Sequence, residues 1–198
     1  VWLVVAGSRS ALDGCVLAGG PGRRFGRSKA GVVLAGRSLV ERAVDLLAAR
    51  CATVVVVSRP GVELPPLAVT AVHDRPGPDA PLVALATGLA ALEGDEVVVL
   101  ACDLPLAGPL LDELLAAPAG RAVVGTEQGR PQPFCARYPR ERALAVCERL
   151  LASGALAARG LPEALGALGV EARGDALLNV NTPEDLARAE EILARSGC

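Results

Sequence analysis

Thr53-Val-Val-Val-Val-Ser58 is the stretch from which the fold class follows. The run is β-branched through its centre and shows no alternation of apolar and polar residues. Val97-Val-Val-Leu-Ala101 repeats the pattern. A strand without alternation is one buried on both faces, as in a mostly parallel sheet covered by helices on either side. Around these two runs, candidate strands fall at Gly14–Ala18, Thr53–Ser58, Leu67–Val72, Glu96–Cys102 and Ala122–Gly125. Pro133–Tyr138 is expected as a further strand, opening on Pro as a sheet edge or a first strand position permits.

Helices are expected between these strands. Ser38-Leu-Val-Glu41 reads as a capping box, in which hydroxyl and carboxylate satisfy free amides of the first turn. The helix it opens, Leu39–Arg50, has apolar residues at 40, 43, 44 and 47 on one face. Leu82–Leu92, Leu110–Ala117 and Arg140–Ala152 follow, the last with Gly154 just beyond as a C-terminal cap. Thr182-Pro-Glu-Asp185 starts a final helix, with Thr as N-cap, Pro at the first helical position and acids in the first turn. The βαβαβ order predicts a three-layer α/β/α domain with ligands at the carboxyl ends of its strands.

The 198 residues suit one domain, expected over 13–198, with residues 1–12 an N-terminal extension that is either a strand or unstructured. One Trp, one Tyr, two Phe and no Met leave Ala, Val and Leu to fill the core. The net charge of −2 argues against a general nucleic-acid or membrane surface. No apolar run approaches the roughly 20 residues of a membrane span, and no signal peptide is read. The six cysteines form no C-x-x-C pair and His73 is the single histidine, which disfavours zinc. Four cysteines sit in apolar surroundings as small buried hydrophobes, consistent with a reducing, cytoplasmic setting.

Leu17-Ala-Gly-Gly-Pro-Gly-Arg-Arg-Phe-Gly-Arg-Ser-Lys29 carries the chemistry. Its glycines let the backbone turn tightly after a buried strand and expose amides that cradle anions. Arg23, Arg24, Arg27 and Lys29 add four cations, and a polyphosphate is the natural counter-ion. No Gly precedes a Lys as a P-loop requires, and Phe25 stands where the dinucleotide fingerprint needs its third Gly. The other reading is a surface turn with solvated charges. Asp103, in Cys102-Asp-Leu-Pro105, ends the second valine-rich strand. One carboxylate with substrate phosphates is the usual way to hold Mg²⁺; the competing role is an Asx turn. Asp74 is open to a ribose, base-edge or metal-shell role, or to service in a Pro/Gly-rich turn. Asn179, Asn181 and Gln132 are each a binding amide or a turn residue, and His73 is expected to be structural or solvated.

Taken together the chain resembles the molybdenum cofactor guanylyltransferases, within the nucleotidyltransferases of Rossmann-like fold. Four blocks carry the resemblance: Leu17–Lys29, Leu34-Ala-Gly-Arg-Ser-Leu39, Cys102-Asp-Leu-Pro105, and Asn179-Val-Asn-Thr-Pro-Glu-Asp-Leu186. The first says only nucleotidyltransferase; the last, with the short length, favours the molybdenum cofactor branch. The resemblance implies attack by the terminal phosphate of molybdopterin on the α-phosphate of GTP, with Mg²⁺ as cofactor. Lys29, Arg24 and Asp103 would be catalytic. Leu17, Ala18, Gly19, Gly20, Lys29, Ser58 or Arg59, Asp74 and Asp103 would bind the nucleotide. Asp103 would hold the metal, and Asn181 would face the pterin. It further implies contact with cofactor-synthesis or molybdoenzyme partners.

Three features depart from the family. Ser28 stands where many members have Asp, the G-P-L-A-G loop reads Ala80-Pro-Leu-Val-Ala84, and the second strand lacks its Asn. These departures bear on guanine specificity rather than on phosphate binding. The nearest alternative is a cytidylyltransferase of molybdopterin, or a transferase for another phosphorylated small molecule. A nucleotide-binding protein without turnover belongs to a different class. So does an NAD(P) oxidoreductase with Arg59 on the 2′-phosphate.

Overall fold

The structure is a computed structural model and describes residues 12–20, 25 and 28–196. Of the extension expected over residues 1–12, residues 1–11 lie outside them, as do 21–24, 26 and 27, while Leu12 is the first residue of the first strand. Strand β1 (Leu12–Leu17) is followed by a short hairpin, β2 (Val33–Leu34) and β3 (Arg37–Ser38), then by helix α1 (Leu39–Ala48). Next come β4 (Thr53–Ser58), β5 (Thr70–His73), α2 (Pro81–Ala90), β6 (Glu96–Ala101) and α3 (Gly108–Ala116). The remainder is β7 (Val123–Glu127), β8 (Arg130–Pro139), α4 (Arg140–Ala152), α5 (Leu161–Leu165), β9 (Leu168–Glu171) and α6 (Pro183–Ser196).

Seven strands form one sheet in the order β5-β4-β1-β6-β8-β7-β9. All neighbours are parallel except β8, which runs against both β6 and β7. The unbroken valine runs are explained by the two faces. Cys15, Val55, Val57, Val97 and Val99 point to one core, which α2, α4 and α5 cover. Val16, Val54, Val56, Val98 and Leu100 point to the other, under α1 and α3. Each strand therefore alternates between two apolar layers, and its sequence shows no alternation. A third cluster of Val32, Leu34, Leu39, Val180 and Ala189, with Phe25 against it, joins α6 to the hairpin after the glycine-rich loop.

The capping box at Ser38 forms: Glu41 N–H donates to the Ser38 hydroxyl oxygen, and Ser38 N–H donates to the Glu41 carboxylate at 2.8 Å. At α6, Asp185 N–H donates to Thr182 Oγ1 at 3.2 Å. Cys15, Cys102, Cys135 and Cys147 are buried, and burial pushes the Cys15, Cys135 and Cys147 thiols up to about 12, so they serve as packing groups.

Several expectations are corrected. Pro133–Tyr138 is part of a longer strand in the sheet interior. Pro133 is tolerated there because the β7 ladder jumps from Val124–Ala136 to Gly125–Gln132, while the β6 ladder stops at Cys135. Its amide position thus falls outside both ladders. The Tyr138 hydroxyl donates to the Pro133 carbonyl at 2.9 Å, within this irregular stretch. The strand expected at Leu67–Val72 is shorter and later, at Thr70–His73. The β7–β8 hairpin turns on Gln128 and Gly129, both at positive φ (51° and 73°), the geometry that a two-residue hairpin turn requires.

Gly88 sets how closely α2 approaches the sheet. A Cβ there would lie 2.2 Å from Cys15 Sγ and 3.1 Å from Val57 Cγ2. Gly88→Ala is therefore expected to cost about 1–3 kcal/mol in urea unfolding through overpacking. Adding Cys15→Ala should restore most of the loss; simple additivity of the two losses would contradict the contact.

Candidate active site

A cavity of about 380 Å³ opens at the carboxyl ends of β5, β4, β1 and β6 and the early part of β8. The sheet order therefore sets the order of side chains across it: Asp74 after β5, Arg59 after β4, Gly19 and Gly20 after β1, Asp103 after β6, then Gln132 and Phe134 on β8. The parallel ladder continues past the strand ends and holds this rim. Ala18 N–H donates to Val57 O at 2.8 Å, Cys102 N–H to Leu17 O at 3.0 Å, and Asp74 N–H to Ser58 O at 2.9 Å.

Two glycines keep the floor open. A Cβ on Gly19 would press on Arg59, 3.3 Å from its Cγ. A Cβ on Gly20 would meet the Lys29 stem at 3.4 Å. Lys29 begins a 3-10 turn, Lys29–Gly31, and its ammonium donates to Asp103 Oδ2 at 2.9 Å and to Asn181 Oδ1. Asp103 and Asn181 are brought together by the main chain, because Val180 N–H donates to the Asp103 carbonyl at 2.8 Å. Asn181 is held in turn by Asp185, whose carboxylate accepts from the Asn181 and Thr182 amides, each at 2.9 Å. Carboxylate and amide oxygens converging on one cation are the hard donors that Mg²⁺ takes, so the residues present fit a divalent ion.

At the other end, the Arg59 guanidinium donates to Asp79 at 2.5 Å. Burial raises the Asp74 carboxyl above its ordinary value, and the nearby Arg59 partly opposes that. Asp74 Oδ1, Ser28 Oγ and Asn179 Oδ1 are buried without a hydrogen-bond partner among the described residues. Buried polar atoms are nearly always paired, and here the Asp74 and Asn179 atoms belong to residues of the cavity wall.

Of the residues expected from sequence, Leu17, Gly19, Gly20, Lys29, Asp74 and Asp103 line the cavity. Asn181 joins them through Lys29. Ala18 is fully buried. Ser58 corrects the expectation at the second strand: it is fully buried, 3.4 Å from His73 Nδ1 through its hydroxyl, and Arg59 is the residue that reaches the cavity. Arg24 lies outside the described residues. Asp79 and Phe134 were not foreseen; a strand adjacent to β6 in space but distant in sequence supplies Phe134. Ala80 and Ala84, in place of the family glycines, line the cavity without strain. Ala80 has extended φ/ψ of −144° and 141°, and Ala84 is helical, so neither position needs glycine. A larger cavity, about 560 Å³, lies between α1, α3 and α6, but its Arg37 and Arg50 are already ion-paired with Asp45 and Asp112.

Two glycines, one lysine and one carboxylate gather at adjoining carboxyl ends of parallel strands, the place where α/β domains bind their ligands. The family model described as MobA-like NTP transferase domain matches residues 14–168, and the chain belongs to that family. It is 37% identical over 188 residues to the probable molybdenum cofactor guanylyltransferase of Mycobacterium avium (strain 104), covering 88% of this chain and 93% of that one. It is 34% identical over 199 residues to the molybdenum cofactor guanylyltransferase of Cereibacter sphaeroides, with 93% and 98% covered. In fold it is similar to the molybdopterin-guanine dinucleotide biosynthesis protein A of Archaeoglobus fulgidus, with a TM-score of 0.73, 24% identity, and 92% and 99% of the two chains covered. The 2-C-methyl-D-erythritol 4-phosphate cytidylyltransferase of Thermus thermophilus shares the fold at a TM-score of 0.71 and 22% identity, with 91% and 98% covered. The three-layer, Rossmann-like nucleotidyltransferase fold expected from the sequence is the one observed. No helix among the described residues is long and apolar enough to cross a membrane.

Proposed function

We propose that this chain transfers the guanylyl group of GTP to the terminal phosphate of molybdopterin. A phosphate oxygen of the acceptor forms a bond to the α-phosphorus. The bond from that phosphorus to the bridging oxygen breaks, and its electron pair leaves with pyrophosphate. The observation that carries the reading is Lys29 held between Asp103 and Asn181 at the floor of the cavity; the relatives' names supply the nucleotide and the acceptor.

Little covalent work falls to the protein, whose task is alignment and charge stabilisation. The Gly19 and Gly20 turn orients the phosphates, and Lys29 and Arg24 neutralise their oxygens. Asp103 would hold Mg²⁺, which would supply positive charge against that developing on the transferring phosphoryl and its leaving group. Asp74 and Arg59, with Leu17 beside them, form the base end. Guanine offers N1–H and its amino group to a carboxylate and O6 to a guanidinium, an edge that cytosine does not reproduce. Asn181 and the β8 wall lie toward the acceptor. A cytoplasmic setting, with transient contact to cofactor-synthesis or molybdoenzyme partners, belongs to the same reading.

A panel of GTP, CTP, ATP and UTP in thermal unfolding tests the nucleotide. GTP at about 100 times its Kd should add roughly 2.7 kcal/mol of stability, and a response to CTP alone would move the assignment to cytidylyl transfer. Within the site, Asp74→Ala is expected to raise KM for GTP about ten- to a hundredfold, since a hydrogen bond to a charged group contributes about 1.5–3 kcal/mol. The value of kcat should change little. An unchanged KM would return Asp74 to the role of a turn residue.

A further inference from the structure

Cationic side chains in this chain are almost all guanidinium: nineteen arginines stand beside one lysine, Lys29. That exception is a compact point charge in a chain whose other cations are planar forks. Its ammonium meets Asp103 Oδ2 and Asn181 Oδ1 together, and the side chains of Lys29 and Asp103 are only 14% and 18% exposed. The two oxygens come from the end of β6 and from the segment before α6. The backbone that carries each is tied by bonds that do not involve Lys29: the Asp103 carbonyl accepts from Val180 N–H, and Asn181 N–H donates to the Asp185 carboxylate. The two residues thus stay neighbours independently of the lysine. Lys29, by contrast, reaches them along a flexible stem that passes beside Gly20.

We propose that Asp103 and Asn181 form one cation site, which the Lys29 ammonium fills in the nucleotide-free protein and a divalent ion takes over when a nucleoside triphosphate draws Lys29 onto its phosphates. The proposal rests on the metal reading above. It adds Asn181 as a second oxygen ligand and fixes an order, in which the ion enters with the nucleotide and not before it. Two cations at the same pair of oxygens repel strongly in a partly buried site, so the tethered ammonium keeps divalent affinity low. Phosphate oxygens offer Lys29 charge-assisted hydrogen bonds in exchange. The carboxylate of Asp103 then faces a cation at each stage and is never left half-buried alone, a state that would be costly.

Mn²⁺ titration followed by its electron paramagnetic resonance signal tests this on the full chain. Without nucleotide, Lys29→Ala and Lys29→Gln should each bind Mn²⁺ at least about tenfold more tightly than the wild type, because the competing charge is gone. Asn181→Ala in the Lys29→Ala background should remove most of that gain. Equal Mn²⁺ affinity in wild type and both Lys29 variants would overturn the proposal even if the wild type binds Mn²⁺ with GTP. Failure of the wild type to bind Mn²⁺ with GTP would remove the metal reading beneath it as well. No substitution is needed for a second measurement. With one lysine in the chain, lysine-selective ¹³C labelling gives a single lysine side-chain signal. It should stay in place with Mg²⁺ alone and shift with Mg²⁺ and GTP; a signal that moves fully with Mg²⁺ alone, or not at all with both, would overturn the order of binding.

Discussion

Asp103→Ala is expected to lower the rate of guanylyl transfer at saturating GTP by about a thousandfold or more, the range in which single groups that stabilise transition-state charge act. The carboxylate is the acidic partner of Lys29 in the free site. On the proposed reading it is also the oxygen donor to the metal ion. The fold should survive the change. The Asp103 carbonyl, which ties β6 to Val180, is a main-chain group that the substitution keeps, and the side chain lies in no apolar cluster. Lys29 and the glycine turn remain to take the triphosphate, so KM for GTP should move far less than kcat. A variant that melts like the wild type and retains more than about a tenth of its rate would take this carboxylate out of the chemistry.

Lys29→Arg is expected to be nearly as damaging as Lys29→Ala, each lowering kcat/KM about a hundredfold or more. Swaps of lysine for arginine are tolerated at solvated sites. Here the ammonium is a compact charge that donates to two oxygens at once in a partly buried niche, while a guanidinium spreads its charge over a rigid planar fork. Loss of the ammonium removes the counter-charge of Asp103 and, on the proposed reading, a phosphate contact. Near-normal activity in Lys29→Arg would show that any positive charge suffices and that the paired-oxygen geometry is incidental.

The parts of this fold that could be read from the sequence are those set by local pattern. The valine runs announced strands buried on both faces. The Ser38–Glu41 capping box marked the start of α1, and α4 runs from Arg140 to Ala152 as its periodicity indicated. Asp103 was legible because a charge directly after a run of apolar residues has few places to go other than a strand end. What the sequence hid was adjacency. Strands β6, β7 and β8 follow one another along the chain, but β8 lies between the other two in the sheet. That placement put Phe134 and Gln132 in the same cavity wall as Asp103, and it set the strand around Pro133 in the sheet interior. The meeting of Lys29 with Asn181 likewise spans 152 residues and is set by a main-chain bond that no local motif encodes. Strand β9, four residues with a glycine at a mostly exposed edge, had too little apolar signal to stand out.

The same limit explains the second-strand position. Alternation along a strand lets only one of two neighbours face a ligand, and counting residues could not say whether Ser58 or Arg59 would emerge. In the structure Ser58 is fully buried near His73, and Arg59 lines the cavity and is anchored by Asp79. The glycines missing from the Ala80–Ala84 loop have a correspondingly small structural consequence, because the backbone there is ordinary extended and helical chain.

Transfer of label from [α-³²P]GTP to molybdopterin by the purified chain with Mg²⁺ is the decisive test of guanylyl transfer, with [α-³²P]CTP run in parallel. Labelled dinucleotide from GTP, matched by release of one pyrophosphate per transfer and little product from CTP, is the predicted result. Absence of labelled product from GTP, or product from CTP in its place, would contradict the assignment.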